Sequence, residues 1–268
     1  MLNKDDIIKL FGPNPDDWNW HRISCQTLSE DFIREFKDKV NWRYISYHQT
    51  LSEDFIREFK NKVLWDYISF NQKLSEDFIR EFKDKVSWDF ISQKQTLSED
   101  FIREFKDKVN WDYISYKQKQ TLSEDFIREF KDKVHWDYIS YSQTLSEDFI
   151  REFKDKVHWN YISVDQKLSE DFINEFQNKV NWDYISYKQK LSEDFIREFK
   201  DKVNWMVLCR ENPHCPPDIK IKWMKDNNLI KKQDPSTHEI EYETIPITKP
   251  NNYNNYNDLQ LLKELIED

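Results

Sequence analysis

Glycine is almost missing: the 268-residue chain holds one, Gly12. That excludes the glycine-rich phosphate loops and the nucleophile elbow, whose tight backbones need residues without a Cβ. Cysteine is scarce too. Cys25, Cys209 and Cys215 cannot make the framework of a disulfide-stapled domain. No apolar run approaches the roughly 18 residues that a membrane-spanning helix needs. The opening residues 1–6 (Met-Leu-Asn-Lys-Asp-Asp) lack the apolar segment of a secretory leader, and no Asn-x-Ser/Thr acceptor occurs. A reducing, intracellular compartment is the expectation. Positive charge is in deficit. Against 51 acidic residues stand 41 Lys and Arg, a formal net charge of −10, which is the wrong sign for a phosphate-backbone binder.

What the chain has instead is repetition. The stretch from Leu28 to Trp42, LSEDFIREFKDKVNW, recurs with few changes as far as residue 205. Its opening leucines are Leu28, Leu51, Leu74, Leu97, Leu122, Leu145, Leu168 and Leu191, and the spacing is 23 residues except for one step of 25. A fixed period of this size marks an array of stacked supersecondary units. An aromatic content of 16% argues for a packed core over most of the chain.

Within one repeat, Leu28, Phe32, Phe36 and Val40 recur every fourth residue, and Ile33 widens the stripe. On a helix these residues form one apolar arc with the charges opposite. Ser29 is placed as N-cap, with Glu30 and Asp31 in the first turn, where the helix dipole favours negative charge. Leu28 and Ile33 make a hydrophobic staple. Lys37 and Lys39 suit the C-terminal end, and Glu30–Arg34 and Glu35–Lys39 are i,i+4 pairs. A helix of about three turns, roughly 20 Å long, is predicted. Asn41 then caps a shorter helix on which Trp42 and Ile45 share a face and Tyr44 and Tyr47 flank them. Each repeat is thus expected to be an antiparallel pair, one helix long and one short. A lone pair buries too little to stand by itself, so stability must come from neighbours.

Around the array the pattern changes. Residues 1–27 read as an N-terminal cap: a short amphipathic helix at Asp5–Phe11, a turn at 12–15, and a partial repeat in which Trp20 and Ile23 hold array positions. Residues 28–205 form the eight-repeat solenoid, with tryptophans at 42, 65, 88, 111, 136, 159, 182 and 205. The link Lys117–Thr121 is two residues longer than the others and predicts an offset between repeats 1–4 and 5–8. The repeat from Leu168 has Asn174, Gln177 and Asn178 in place of Arg, Lys and Asp, and is locally more acidic. Pro213, Pro216 and Pro217 then break the helices. Residues 206–231 are expected to carry a capping helix over Asp218–Leu229. Residues 232–268 are expected to be a flexible tail with an extended stretch at Glu239–Ile247 and a terminal amphipathic helix at Asp258–Ile266.

The opening NPDDWNWHRIS (Asn14–Ser24) and the iterated Lys-Val-Asn-Trp-Asp-Tyr-Ile-Ser resemble the short tryptophan repeats of giant DNA viruses of amoebae, the mimivirus-like group. The resemblance covers residues 14–205. It implies a viral protein made in an infected amoeba, acting in the host cytoplasm or packaged in the virion, in a repeat family without an assigned activity. It supplies no catalytic residues.

Candidate chemistry is sparse. The aromatic side chains could stack bases, as in single-strand platforms. Their helical spacing among Leu, Ile and Val reads instead as inter-repeat core: Trp42, Trp65, Trp88, Trp111, Trp136, Trp159, Trp182 and Trp205 with Phe32, Phe36 and Ile45. Trp111→Ala is then expected to cost about 3–5 kcal/mol through a cavity. Arg34, Arg57, Arg80, Arg103, Arg128, Arg151 and Arg197 could line up as a basic ridge, yet Glu30, Asp31 and Glu35 recur beside them, so a mixed-sign solvated face is expected. Cys209, His214 and Cys215 are weak zinc ligands: no paired C-x-x-C is present, and the fourth ligand would be His238 or distant Cys25. His135 and His158 occupy a tolerant turn position. The Glu-Asp pairs recur in equivalent settings, unlike an acid/base pair, which needs one distinctive shielded site.

The sequence therefore predicts an all-α solenoid of about eight 23-residue two-helix repeats, with an N-terminal cap and a divergent C-terminal segment. Function is expected to be non-enzymatic protein–protein interaction, with no cofactor and no membrane association. Nucleic-acid binding and a structural place in the virus particle are the alternatives.

Overall fold

The computed structural model describes residues 2, 4–116, 121–226, 230–233 and 240–242. The fold is an all-helical array of regular 23-residue helix pairs packed consecutively. Contacts divide the chain between Asn181 and Trp182 into two units.

In the first unit every repeat opens with a six-residue helix: Glu30–Glu35, Glu53–Glu58, Glu76–Glu81, Glu99–Glu104, Glu124–Glu129, Glu147–Glu152 and Glu170–Glu175. We call these the Phe helices. Each is capped as its sequence dictates, for instance by Ser29 Oγ accepting from the Phe32 N–H. The helix is shorter than the expected three turns. At Phe36 the backbone leaves the helical region (φ −110°, ψ 28°). The N–H groups of Lys39 and Val40 then both return to the Phe36 carbonyl. This closing turn brings Val40 back to the core while residues 37–39 stay exposed. The Trp42 indole donates to the Lys37 carbonyl of this closing turn at 2.9 Å. The spacing of four is therefore shared between a helix and the turn that ends it.

In most repeats the second helix is the longer one. These Trp helices span Trp42–His48, Trp65–Asn71, Trp88–Lys94, Trp136–Ser142 and Trp159–Asp165, with Trp111–Tyr116 ending at the last described residue before the link. Asn41 caps the first through Oδ1. Leu64, Ser87, His135 and His158 give no side-chain cap. A different residue makes their variety harmless. The N–H at this position donates to the serine hydroxyl of the preceding Trp helix, as in Leu64 to Ser46, His135 to Ser115 and His158 to Ser140, each at 2.9 Å.

Packing is out of step with the sequence unit. Trp42 stacks on Phe55 and Phe59 of the following repeat, with ring centroids 6.3 and 4.9 Å apart. Trp65, Trp88, Trp111, Trp136 and Trp159 do the same with their successors. The first Phe helix is met by Trp20 of the cap, joined by Trp18. The partial repeat in residues 1–27 thus completes a full packing module. The cap helix Lys4–Phe11 buries Ile7, and Leu2 holds residues 27 and 29 through backbone hydrogen bonds.

The longer link causes no offset. Trp111 meets Phe130 at 4.8 Å, the distance of Trp88 from Phe105, and Arg103 reaches Glu129 at 2.7 Å, as Arg80 reaches Glu104. Residues 117–120 of the connection lie outside the described residues.

The second unit has Trp helices Trp182–Lys188 and Trp205–Arg210, with Phe helix Glu193–Glu198 between them. Helix Pro217–Asp226 then packs on Trp205–Arg210. It begins with Pro217 at its first position, where the missing N–H costs nothing. Residues 240–242 fall in the extended stretch expected at Glu239–Ile247 and meet residues 230–233. They pair as antiparallel strands Ile230–Gln233 and Ile240–Tyr242. The terminal helix expected at Asp258–Ile266 lies outside the described residues.

Candidate interaction face

Three sets of contacts tie each module of the first unit to the next, and they decide which surface is left open. The innermost is apolar. Phe55, Ile56 and Ile68 and their counterparts are fully enclosed. The tryptophans lie one layer further out and are half-buried, as is Phe36, whereas its counterpart Phe59 is buried.

The second set is a buried polar ladder. Gln166 Oε1 accepts from the Leu145 N–H at 3.0 Å, and its Nε2 donates to the Gln143 and Ser140 carbonyls at 2.8 and 3.0 Å. Gln49, Gln72 and Gln95 do the same work. In the second unit Asn212 takes the glutamine's place and donates to Ser186 and Gln189.

The third set covers the Phe helices with charge. Arg34 donates to Glu58 of the next repeat at 2.7 Å and to Asp31 at 3.0 Å, and lies over the Phe55 ring at 5.0 Å. The hydrogen bond it donates to Glu58 leads in holding its guanidinium above the ordinary value. Arg57, Arg80, Arg103, Arg128 and Arg151 repeat this arrangement, whereas Arg197 pairs with Glu193 of its own helix. The arginine row is therefore a mixed-sign lattice and no basic ridge. Lys62 likewise donates to Asp38 of the preceding repeat at 2.5 Å, which holds that carboxyl below the usual carboxylate range. The expected Glu35–Lys39 pair is replaced by contacts to the cap, Lys4–Glu35 and Lys39–Asp16.

What remains is the outer face of the Trp helices. Counting from each Trp, the first, second and fifth following residues share that face by helical geometry. They are Asp66, Tyr67 and Phe70; then Asp112, Tyr113 and Tyr116; then Asp137, Tyr138 and Tyr141. The aspartates are exposed and the rings half-buried. Rings join across repeats: Tyr47 with Tyr67, Phe70 with Phe90, Tyr116 with Tyr138 and Tyr141 with Tyr161, at centroid distances of 5.3, 5.2, 5.2 and 5.6 Å. Burial pushes the Tyr138 phenol up, and the Asp112 and Asp137 carboxylates add to the shift. His135 and His158, set aside as turn residues, lie against Tyr138 and Tyr161 at 4.4 and 4.5 Å.

The zinc candidates separate. Cys209 and Cys215 bring their sulfurs to 3.8 Å and are buried, but His214 is exposed. No group of three or more His, Cys, Asp or Glu suited to a metal occurs among the described residues. The hydrogen bond between the two thiols, with burial, pushes Cys209 well up, and the same bond holds Cys215 down. No helix among the described residues is long and apolar enough to cross a membrane.

Comparison with known proteins adds no relative: no family model matches the chain, and neither a curated protein nor a solved structure does.

Proposed function

We propose that the protein is a non-enzymatic scaffold for protein–protein interaction, with the outer face of its Trp helices as the binding surface. One observation carries this reading. The Phe-helix surface is occupied by its own ion pairs, whereas the Trp helices present aromatic rings and carboxylates over consecutive repeats. Half-exposed tyrosines offer large contact area at low side-chain entropy cost, as interface anchors do. Repetition adds avidity when a partner spans several repeats. The resemblance to giant-virus tryptophan repeats supports an infected amoeba as the setting, with the host cytoplasm or the particle as location.

The test is affinity capture of the full chain from amoeba lysate, with and without nuclease. Proteins retained after nuclease treatment, and lost from a Tyr113→Ser/Tyr138→Ser/Tyr141→Ser variant, support the reading. Loss of everything on nuclease treatment would turn the assignment to nucleic acid.

A further inference from the structure

One repeat shows what the outer face accepts. Where most later repeats have Asp after the Trp, the first has Arg43, and its guanidinium lies over the Tyr67 ring of the next repeat at 5.8 Å. Lys94 lies over Phe70 at 4.4 Å. Two cations of the chain thus lie on rings of this face. At the positions equivalent to Arg43 stand Asp66, Asp89, Asp112 and Asp137. The rings equivalent to Tyr67 in the next repeats are Phe90, Tyr113, Tyr138 and Tyr161. Asp112 and Tyr138 are close enough for the carboxylate to raise the phenol. The position that Arg43 holds in the first repeat therefore carries an exposed carboxylate in four consecutive repeats.

We propose that these positions form a ladder of guanidinium sites for an arginine-rich segment of a partner protein. Each site would pair an arginine with the aspartate of one repeat and lay it on the ring of the next. Guanidinium suits both contacts, being planar, weakly hydrated and able to fork onto a carboxylate. Geometry adds a spacing rule. Packed helices lie about 8–10 Å apart, and three residues of extended chain span about 10 Å. One arginine in every three, on an extended strand, keeps step with the array. Asp89 accepts from Asn110 Nδ2 at 2.9 Å, which fixes its carboxylate without using up its acceptor capacity. The net charge of −10 favours the encounter. This inference rests on the scaffold reading and adds the chemistry of the partner.

The test is fluorescence anisotropy on the full chain with a labelled peptide of four Arg-Ser-Gly triplets. Two charge-matched variants go beside it. D89N/D112N/D137N removes three rungs, and D54N/D77N/D100N removes three exposed carboxylates of the Phe-helix lattice. The expected result is binding that the first variant weakens about tenfold or more and the second by less than about twofold. Equal weakening by both would show general attraction to an acidic protein and overturn the ladder. So would absence of binding, equal affinity for a peptide with its arginines in one block, or preference for a single-stranded RNA of similar length. Should the peptide fail while nuclease-resistant proteins are still captured through the tyrosine face, the scaffold reading stands and the arginine ladder falls.

Discussion

Replacing Gln166 by Leu tests the buried ladder with nearly constant volume. The Gln166 side chain holds the Leu145 N–H at 3.0 Å and the Gln143 carbonyl at 2.8 Å, and both residues are buried. Leucine fills the space and satisfies neither. Each buried backbone group left without a partner costs about 1–3 kcal/mol, so about 2–6 kcal/mol is expected for the pair. The loss is measured by urea unfolding followed through both tryptophan fluorescence and far-UV circular dichroism. A weakened joint in a one-dimensional array also separates its two sides, so the two probes should cease to coincide. Amide hydrogen exchange locates the damage. The Leu145 amide should exchange faster, while that of Leu122, held by Gln143 Oε1 at 2.9 Å, stays protected longer. A loss below about 1 kcal/mol, or equal acceleration at both leucines, would refute the assignment of the ladder as a structural joint.

Other consequences follow from the layering. Phe126→Ala, at a fully enclosed ring, should cost about 3–5 kcal/mol in the same melts. Trp111→Ala, at a half-buried ring, should cost less, and the reverse order would contradict the layers described. Ser98→Ala removes the hydroxyl that caps the Phe helix and should cost about 1 kcal/mol. Asp38, Asp84, Asp107, Asp132 and Asp155 are depressed chiefly by hydrogen bonds from lysines of the next repeat. A carboxyl depressed on folding stabilises above its unfolded value of about 3.9, and that contribution is lost as pH falls through the lower folded value. Thermal melts should therefore drop below about pH 4, and high salt should shrink the drop. Half-exposed Cys25 should react with a maleimide before Cys209 and Cys215, which mass spectrometry of a short labelling course would show.

Much of this architecture was legible because each position answers to one local demand. Ser29 before Glu30-Asp31 can only be a cap, and Phe32, Ile33 and Ile45 can only face inward. The lengths of the helices were not legible. The spacing of Phe36 and Val40 fits a continuing helix as well as the turn that Phe36 begins, and the indole bond to Lys37 depends on the neighbouring helix. Nor does a periodic sequence state its packing phase, so the partnership of Trp42 with Phe55 and Phe59 rather than Phe32 was hidden. Gln49 and its counterparts look like linker residues. Their constancy, between neighbours that vary from His48 to Asn71 and from Thr50 to Lys73, was the signal that could have found the ladder. Ion pairing went the same way. Arg34 met Glu30 at 3.4 Å as its helix spacing allows, but its closer partner is Glu58, one repeat away. The outer face left a trace only as Tyr44 and Tyr47 flanking the core stripe.

The most direct measurement is a footprint of tyrosine accessibility on the full chain, free and with its captured protein partner bound. Hydroxyl-radical labelling read by mass spectrometry would serve. The account predicts protection at Tyr113, Tyr138 and Tyr141, with labelling of the Phe-helix turns at residues 106–108 and 131–133 unchanged. Protection of those turns, with the tyrosines labelled as in the free protein, would place the binding surface on the opposite helices and contradict it.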